Sequence, residues 1–159
     1  MIIIHTDGSS RGNPGPGGWG AILVRDNEVV EIGGSEEHTT NNRMELMACI
    51  RALEFTISNS QFSNQSVQIN TDSEYVMKGI TEWIEKWQMK GWKTANKKPV
   101  LNQDLWQKLL QVKEGKNVDW KYVAGHSGVN LNERADEIAT TFADGLKPIL
   151  YHGSRDKYK

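Results

Sequence analysis

The chain has 159 residues, 37% hydrophobic and 25% charged, with a net charge of −1 at pH 7. That length suits one domain around a single core. No apolar run approaches a membrane span, and the overall charge alone does not suggest a nucleic-acid partner.

The N-terminus enters Met1-Ile2-Ile3-Ile4 with no basic leader or cleavage signature, so no secretory signal is expected. The single cysteine, Cys49, cannot form an internal disulfide, which fits a reducing cytoplasm. Ala48, Ile50 and Leu53 around it make it a small core residue rather than a nucleophile.

Residues 1 to 7 read as a strand that ends at Asp7. Residues 19 to 25 and 28 to 33 read as two more strands, with "RDNE" at 25 to 28 as the hairpin turn. A helix starts after "HTTNN", with Thr40, Asn41 and Asn42 as capping candidates, and runs to about Ile57. "SVQINTDS" is the fourth strand, and "EYVMKGITEWIEKW" the next helix. A further helix lies near 103 to 113, "NVDWKYV" is the fifth strand, "AGHSGVNLN" a loop, and a last helix covers 132 to 143. Residues 1 to 144 form one domain, and the tail from Gly145 to Lys159 is polar, basic and expected to be loosely held. Three hairpin-compatible strands followed by alternating helices and strands predict an α/β fold with a mixed sheet.

Four acids stand in unusual places. Asp7 and Asp72 each close an apolar strand in a Thr-Asp step, "IIIHTDGS" and "VQINTDSE". They become neighbours if the two strands pair. Glu45 shares a helix face with Ala48, Cys49 and Ala52, which face a core. Asp136 lies beside Ala139 and Ala143. Singly, these acids read as a turn residue, a helix cap, a boundary residue and a dipole-stabilised acid. Together they would repel one another unless cations held them. Carboxylate oxygens with small neighbours suit Mg²⁺ or Mn²⁺, and a pair of such ions can clamp an in-line phosphoryl displacement.

The segment "KWQMKGWKTANKK" at 86 to 98 carries Lys86, Lys90, Lys93, Lys97 and Lys98, no acid, and Trp87 and Trp92 between them. Lysines there would neutralise phosphates. Trp83 and Trp87 share a helix face, so much of their area is expected to be packing.

These segments resemble bacterial type 1 ribonuclease H. The resemblance runs from "HTDGSSRGNPGPGGWGAIL" through "TTNNRMELMA", "TDSEYV", "ITEWIEKW" and "KGWKTANKKPVLNQDLW" to "GHSGVNLNERADEIA", nearly the whole chain. It implies a five-stranded mixed sheet, the first three strands antiparallel, with helices on both faces. It also implies an endonuclease that cuts RNA in RNA–DNA hybrids with two Mg²⁺ ions, as a monomer with no obligatory protein partner. By motif match Asp7, Glu45, Asp72 and Asp136 would bind metal, and His126 would assist proton transfer or product release. Asn13, Thr40 and Arg43, with Asn41 and Asn42 alongside, would form the pocket for a DNA-strand phosphate, and Asn132 a polar group near the site. Gly8, Ser9 and Asn42 would read 2′-hydroxyls in the hybrid's wide minor groove. Residues 86 to 98, Thr94 included, would be the basic protrusion that grips the DNA strand. One departure is Glu74, where related enzymes often carry a glutamine that contacts the minor groove; a carboxylate accepts from a 2′-hydroxyl but cannot donate. The competing expectation is a hybrid-binding module without catalysis, and metal dependence separates the two.

Overall fold

The computed structural model describes residues 1–124 and 130–158. Six strands form one sheet in the order β5-β4-β1-β2-β3-β6. β1 (Ile2–Ser10), β2 (Gly15–Arg25) and β3 (Glu28–Thr39) make an antiparallel meander. β4 (Val67–Thr71) adds parallel to β1, and β5 (Val118–Tyr122) parallel to β4. β1 is thus the hinge between the antiparallel and parallel halves, and its carboxyl end lies beside that of β4. Ligands in mixed sheets collect beyond such paired carboxyl ends.

Helices cover both faces, as expected. On one face α1 (Asn41–Ser58) and α4 (Gln103–Lys113) bury Ile2, Ile4, Leu23, Val67 and Ile69. On the other, Ala135 and Ile138 of α5 (Asn130–Ala143) meet Ile22 and Val29. Cys49 is buried in the first layer, 3.8 Å from Thr6 Oγ1, and burial pushes its thiol up to about 12. It is inert, as a core cysteine should be. No helix among the described residues is long and apolar enough to cross a membrane.

Two strands are longer than expected. β2 begins at Gly15 rather than 19, and β3 continues to Thr39 rather than 33. Gly18, ahead of the expected start, is a strand residue over which α5 passes closely. A Cβ on Gly18 would stand 2.3 Å from the Ala139 carbonyl oxygen. Packing, not turn geometry, selects glycine here.

The helix expected over "EYVMKGITEWIEKW" is interrupted. α2 (Glu74–Lys78) and α3 (Ile84–Met89) flank a π-helical turn at Gly79–Trp83. The Trp106 ring packs where a Gly79 side chain would be, with its Cη2 only 2.0 Å from that Cβ position. The inserted ring accounts for the local widening.

The tail also departs from expectation. β6 (His152–Ser154) pairs antiparallel with β3 as a sixth strand, followed by a 3-10 turn at Arg155–Lys157. The anchor is Glu31, whose side chain is 1% exposed. It accepts from Arg134 Nε (2.8 Å) and Nη2 (2.9 Å), the Tyr151 amide (2.9 Å) and the Tyr158 hydroxyl (2.6 Å). Burial pushes the Glu31 carboxyl up, but these donors outweigh it and hold the group below its ordinary value. Deleting residues 145–159 removes two of the donors to a buried charge. Urea unfolding of the deletion variant should show a loss on the order of 3 kcal/mol; an unchanged midpoint would show that the tail does not hold the fold.

Candidate active site

Strand alternation puts His5 and Asp7 on the α5 face of β1, and Thr6 and Gly8 on the α1 face. Gly8 brings the two faces together. A Cβ there would lie 2.4 Å from both Met44 C and Glu45 N, so only glycine lets the first turn of α1 rest on the strand. Its backbone N–H donates to Asp7 Oδ1 (2.8 Å) and to Glu45 Oε1 (3.1 Å). Thr40 caps α1 by accepting from the Arg43 amide at 3.2 Å, which fixes where Glu45 emerges. Asp72 follows Thr71, the partner of Thr6 in the parallel register, and so stands next to Asp7. Asp7, Glu45 and Asp72 each bring an oxygen within 4.8 Å of the others. Asp136, on α5, is near enough to help raise the Asp7 carboxyl. The structure thus gathers Asp7, Glu45 and Asp72 from two strand ends and one helix, with Asp136 acting on Asp7 from α5 on the other face of the sheet.

Their proximity is costly without a counter-charge. Burial, with Asp72 and Asp136 nearby, raises the Asp7 carboxyl to about 7, against the Glu45 and Gly8 hydrogen bonds that pull it down. Burial and the Asp7 charge push Glu45 well above the ordinary value. Glu45 Oε2 is fully buried with no hydrogen-bond partner. An orphaned carboxylate oxygen in an all-oxygen cluster fits a hard divalent cation.

Beside the acids lies a polar row of which the sequence reading named only Asn132. His5 Nδ1 hydrogen-bonds Asn132 Oδ1, and His5 Nε2 lies 3.5 Å from Asn70 Nδ2. Burial lowers the His5 pKa, which keeps the ring neutral. Asn132 stands one turn before Asp136 on α5, so this row ties the helix carrying Asp136 to the strand carrying Asp7. The strand period alone could have placed His5 on the Asp7 face.

A second cleft, of about 470 Å³, opens beside β1 and the start of α1. It is lined by Ser10, Gly12, Asn13, Thr40, Asn41 and Asn42, with Leu101 and Asn102 from the segment before α4. Asn13, Thr40, Asn41 and Asn42 therefore converge as expected. The Asn41 carboxamide accepts from the Ser10 amide at 2.6 Å and braces the wall. Arg43 differs from expectation. It is not in the lining; its guanidinium is turned to Asp104, at 2.9 and 2.8 Å, and to Asn102 Oδ1 at 3.3 Å. Asn102 and Leu101 were missed because they sit sixty residues from Asn41 and Asn42 in sequence, and no local pattern joins them.

Ser9 is half-buried beyond Gly8, and Glu74 is exposed at the first position of α2, after the Ser73 cap. Lys86, Lys90, Lys93, Lys97 and Lys98 are all exposed, and among the described residues none is ion-paired. Thr94 shapes the turn by taking the Lys98 amide on its hydroxyl at 3.3 Å. Trp83, Trp87 and Trp92 are half-buried and stack in sequence, with centroids 5.7 and 6.3 Å apart. Trp87 also meets Trp106 at 5.6 Å. Packing accounts for one side of each ring. His126 lies outside the described residues.

Comparison with known proteins agrees with this geometry. The RNase H family model matches residues 1–144. The chain belongs to the ribonuclease H family. It is 56% identical over 154 residues to the ribonuclease H of Cyanothece sp., covering 96% of this chain and 95% of that one. It is 54% identical over 148 residues to the ribonuclease HI of Caulobacter vibrioides, covering 92% and 93%. As a ribonuclease H the chain is an endoribonuclease, a hydrolase. The fold matches that of LC9-RNase H1, a type 1 RNase H with the type 2 active-site motif, at a TM-score of 0.82 and 31% identity, over 99% of this chain and 79% of that one. It also resembles LC11-RNase H1, solved in complex with an RNA/DNA hybrid, at a TM-score of 0.69 and 27% identity, over 91% and 98%.

Proposed function

We propose that this ribonuclease H cuts the RNA strand of RNA–DNA hybrids, largely without regard to sequence, leaving a 5′-phosphate and a 3′-hydroxyl. The reading is carried by one observation: buried carboxylates converge at paired strand ends with an unpartnered Glu45 oxygen among them. Asp7, Glu45, Asp72 and Asp136 hold the cations, two Mg²⁺ (or Mn²⁺) with substrate present. Bound there, they supply an activated water and neutralise charge on the departing 3′-oxygen. Gly8 orients two of the four carboxylates through one N–H. His126 moves a proton or aids product release, in keeping with an imidazole's range near neutral pH.

Gly8, Ser9, Asn42 and Glu74 would meet 2′-hydroxyls of the RNA strand. The cleft at Asn13, Thr40 and Asn41 takes a phosphate of the DNA strand, and the lysines from 86 to 98 follow that strand onward. The half-exposed tryptophans, Trp83, Trp87 and Trp92, offer flat faces to its sugars. The chain works as a monomer in the cytoplasm.

The test uses one hybrid with each strand labelled separately, with and without Mg²⁺. Cutting of the RNA strand alone, dependent on metal, is the expected result. Binding without cutting, indifferent to metal, would make the chain a hybrid-binding module instead. Replacing Lys93, Lys97 and Lys98 by alanine should weaken hybrid binding and flatten its salt dependence. The log–log slope should fall by up to about 0.9 for each phosphate that a lysine neutralises. An unchanged slope would remove those lysines from the interface.

A further inference from the structure

The floor beneath α5 is smooth. A Cβ on Gly20 would stand 2.7 Å from the Ala135 carbonyl oxygen, and one on Gly33 would stand 2.7 Å from Ile138 Cγ2. The buried side chains that meet Ala135 and Ile138 are Ile22 and Val29. Such apolar contacts hold the helix down, but they are non-directional and set its rotation weakly. Hydrogen bonds on its flanks are directional. At 3.6 residues per turn, Arg134 and Asp136 leave the axis about 200° apart, with the fully buried Ala135 between them. Asp136 is on the β1 flank, where it acts on Asp7, and Asn132, one turn before it, meets His5 there. Arg134 is on the β3 flank. Its Nε and Nη2 grip the two oxygens of Glu31 at 2.8 and 2.9 Å. Glu137 takes Nη1, and the Ile149 carbonyl also takes Nη2, at 2.9 Å. Glu31 is a costly residue to keep in mid-strand with its side chain 1% exposed. An apolar side chain of similar size would join β3 to α5 without that cost, but it would lack direction.

We propose that Glu31 is a positioning residue for Asp136: through its fork on Arg134 it sets the rotation of α5 over the glycine floor, and so where the Asp136 carboxylate stands relative to Asp7. The inference rests on the reading of Asp136 as a metal-holding acid. Glu31 and His5 then pin opposite flanks of one helical turn, and release of either leaves a pivot. A carboxylate about 5 Å off a helix axis moves about 1 Å for a rotation of about 10°. Mg²⁺ demands near-ideal geometry at about 2.1 Å, so a displacement of that size matters. Each Glu31 oxygen also takes one donor from the tail, the Tyr151 amide on Oε1 and the Tyr158 hydroxyl on Oε2. These two bonds anchor the tail and are no part of the fork.

The test sets the fork against the tail bonds of the same carboxylate. Glu31→Gln puts an amide donor where Arg134 needs an acceptor. Arg134→Lys keeps the charge and loses the fork. Tyr158→Phe keeps the fork and loses a tail donor. Hybrid cleavage would be measured well below each variant's unfolding temperature for kcat, KM and Mg²⁺ half-saturation, and thermal unfolding recorded with and without Mg²⁺ in the absence of substrate. In Glu31→Gln and Arg134→Lys, kcat should fall about tenfold and Mg²⁺ half-saturation rise about tenfold, with KM for the hybrid kept. Mg²⁺ should raise their unfolding temperatures less than it raises that of the wild type. The double variant should be no worse than the worse single one. Tyr158→Phe should unfold at a lower temperature yet keep the wild-type kcat and Mg²⁺ dependence. Wild-type kcat and Mg²⁺ dependence in Arg134→Lys, or equal falls in kcat for Tyr158→Phe and Glu31→Gln, would make Glu31 a structural anchor alone and overturn the inference. Should Glu31→Gln fail to fold, Arg134→Lys decides the matter. Asp136→Asn tests the underlying reading separately: wild-type kcat in that variant would take Asp136 out of the metal-holding set, whatever the fork variants do.

Discussion

Asp7→Asn should abolish cleavage and, in the absence of metal, make the protein more stable. The activity loss should reach a thousandfold or more, about 4 kcal/mol of transition-state stabilisation. The stability gain follows from the carboxyl's position. Asp7 titrates near 7 in the folded chain against an ordinary value of 3.8, chiefly because it is buried and secondarily because Asp72 and Asp136 face it. Near pH 4 the folded group is protonated and the unfolded one only about half ionised, so asparagine has little advantage. As pH rises toward 7 the unfolded chain ionises freely while the folded chain resists, so the wild type loses stability across that window. Above it the variant should lead by about 4 kcal/mol. Urea unfolding in EDTA at about pH 4 and about pH 8.5 measures both ends. Adding Mg²⁺ at the higher pH should then stabilise the wild type far more than the variant. Equal stability of the two proteins in EDTA at the higher pH would show that the acids do not strain one another.

Gly8→Ala should damage the fold and the site together. The new carbon would stand 2.4 Å from Met44 C and Glu45 N, both backbone atoms that no rotamer change can move aside. Either β1 or the first turn of α1 must shift by about 1 Å, at a cost of roughly 2–4 kcal/mol. The same shift separates the N–H of Gly8 from Asp7 or Glu45, so activity should fall at least about tenfold even where the variant is folded. Gly91→Ala is the comparison. Its φ of +67° disfavours alanine, but nothing lies within 4 Å. A loss of about 1 kcal/mol with activity kept is expected there. Similar unfolding midpoints for the two variants would show that the strand end yields more easily than the geometry implies.

The mixed sheet and the convergence of the acids were legible because they rest on local signals. Alternation over "IIIHTD", a matching Thr-Asp step at Asp72 and an acid on an apolar helix face at Glu45 each give a position, and the paired strand ends supply the meeting point. What stayed hidden depends on contacts between distant segments. The early start of β2 depends on α5, whose Ala139 and Phe142 cross Gly18. The break at Gly79 depends on Trp106, the orientation of Arg43 on Asp104, and the tail's anchorage on a glutamate in β3. Glycine, tryptophan and arginine all choose their conformation by what arrives from elsewhere in the chain. Their local sequence carries little of that information.

β6 has a consequence for how the molecule behaves in company. β3 is twelve residues long and would otherwise be the open border of the sheet, a template on which another chain could add a strand. The three residues of β6 cover its beginning, and the Tyr151 and Tyr158 rings close over the adjacent surface, 5.0 Å apart. The opposite border, β5, is guarded differently: it is only five residues long and exposes Asp119 and Lys121. One border is thus short and charged, the other long and shielded by the chain's own end. Loss of the tail would therefore be felt first as self-association at high concentration, with the catalytic acids still in place.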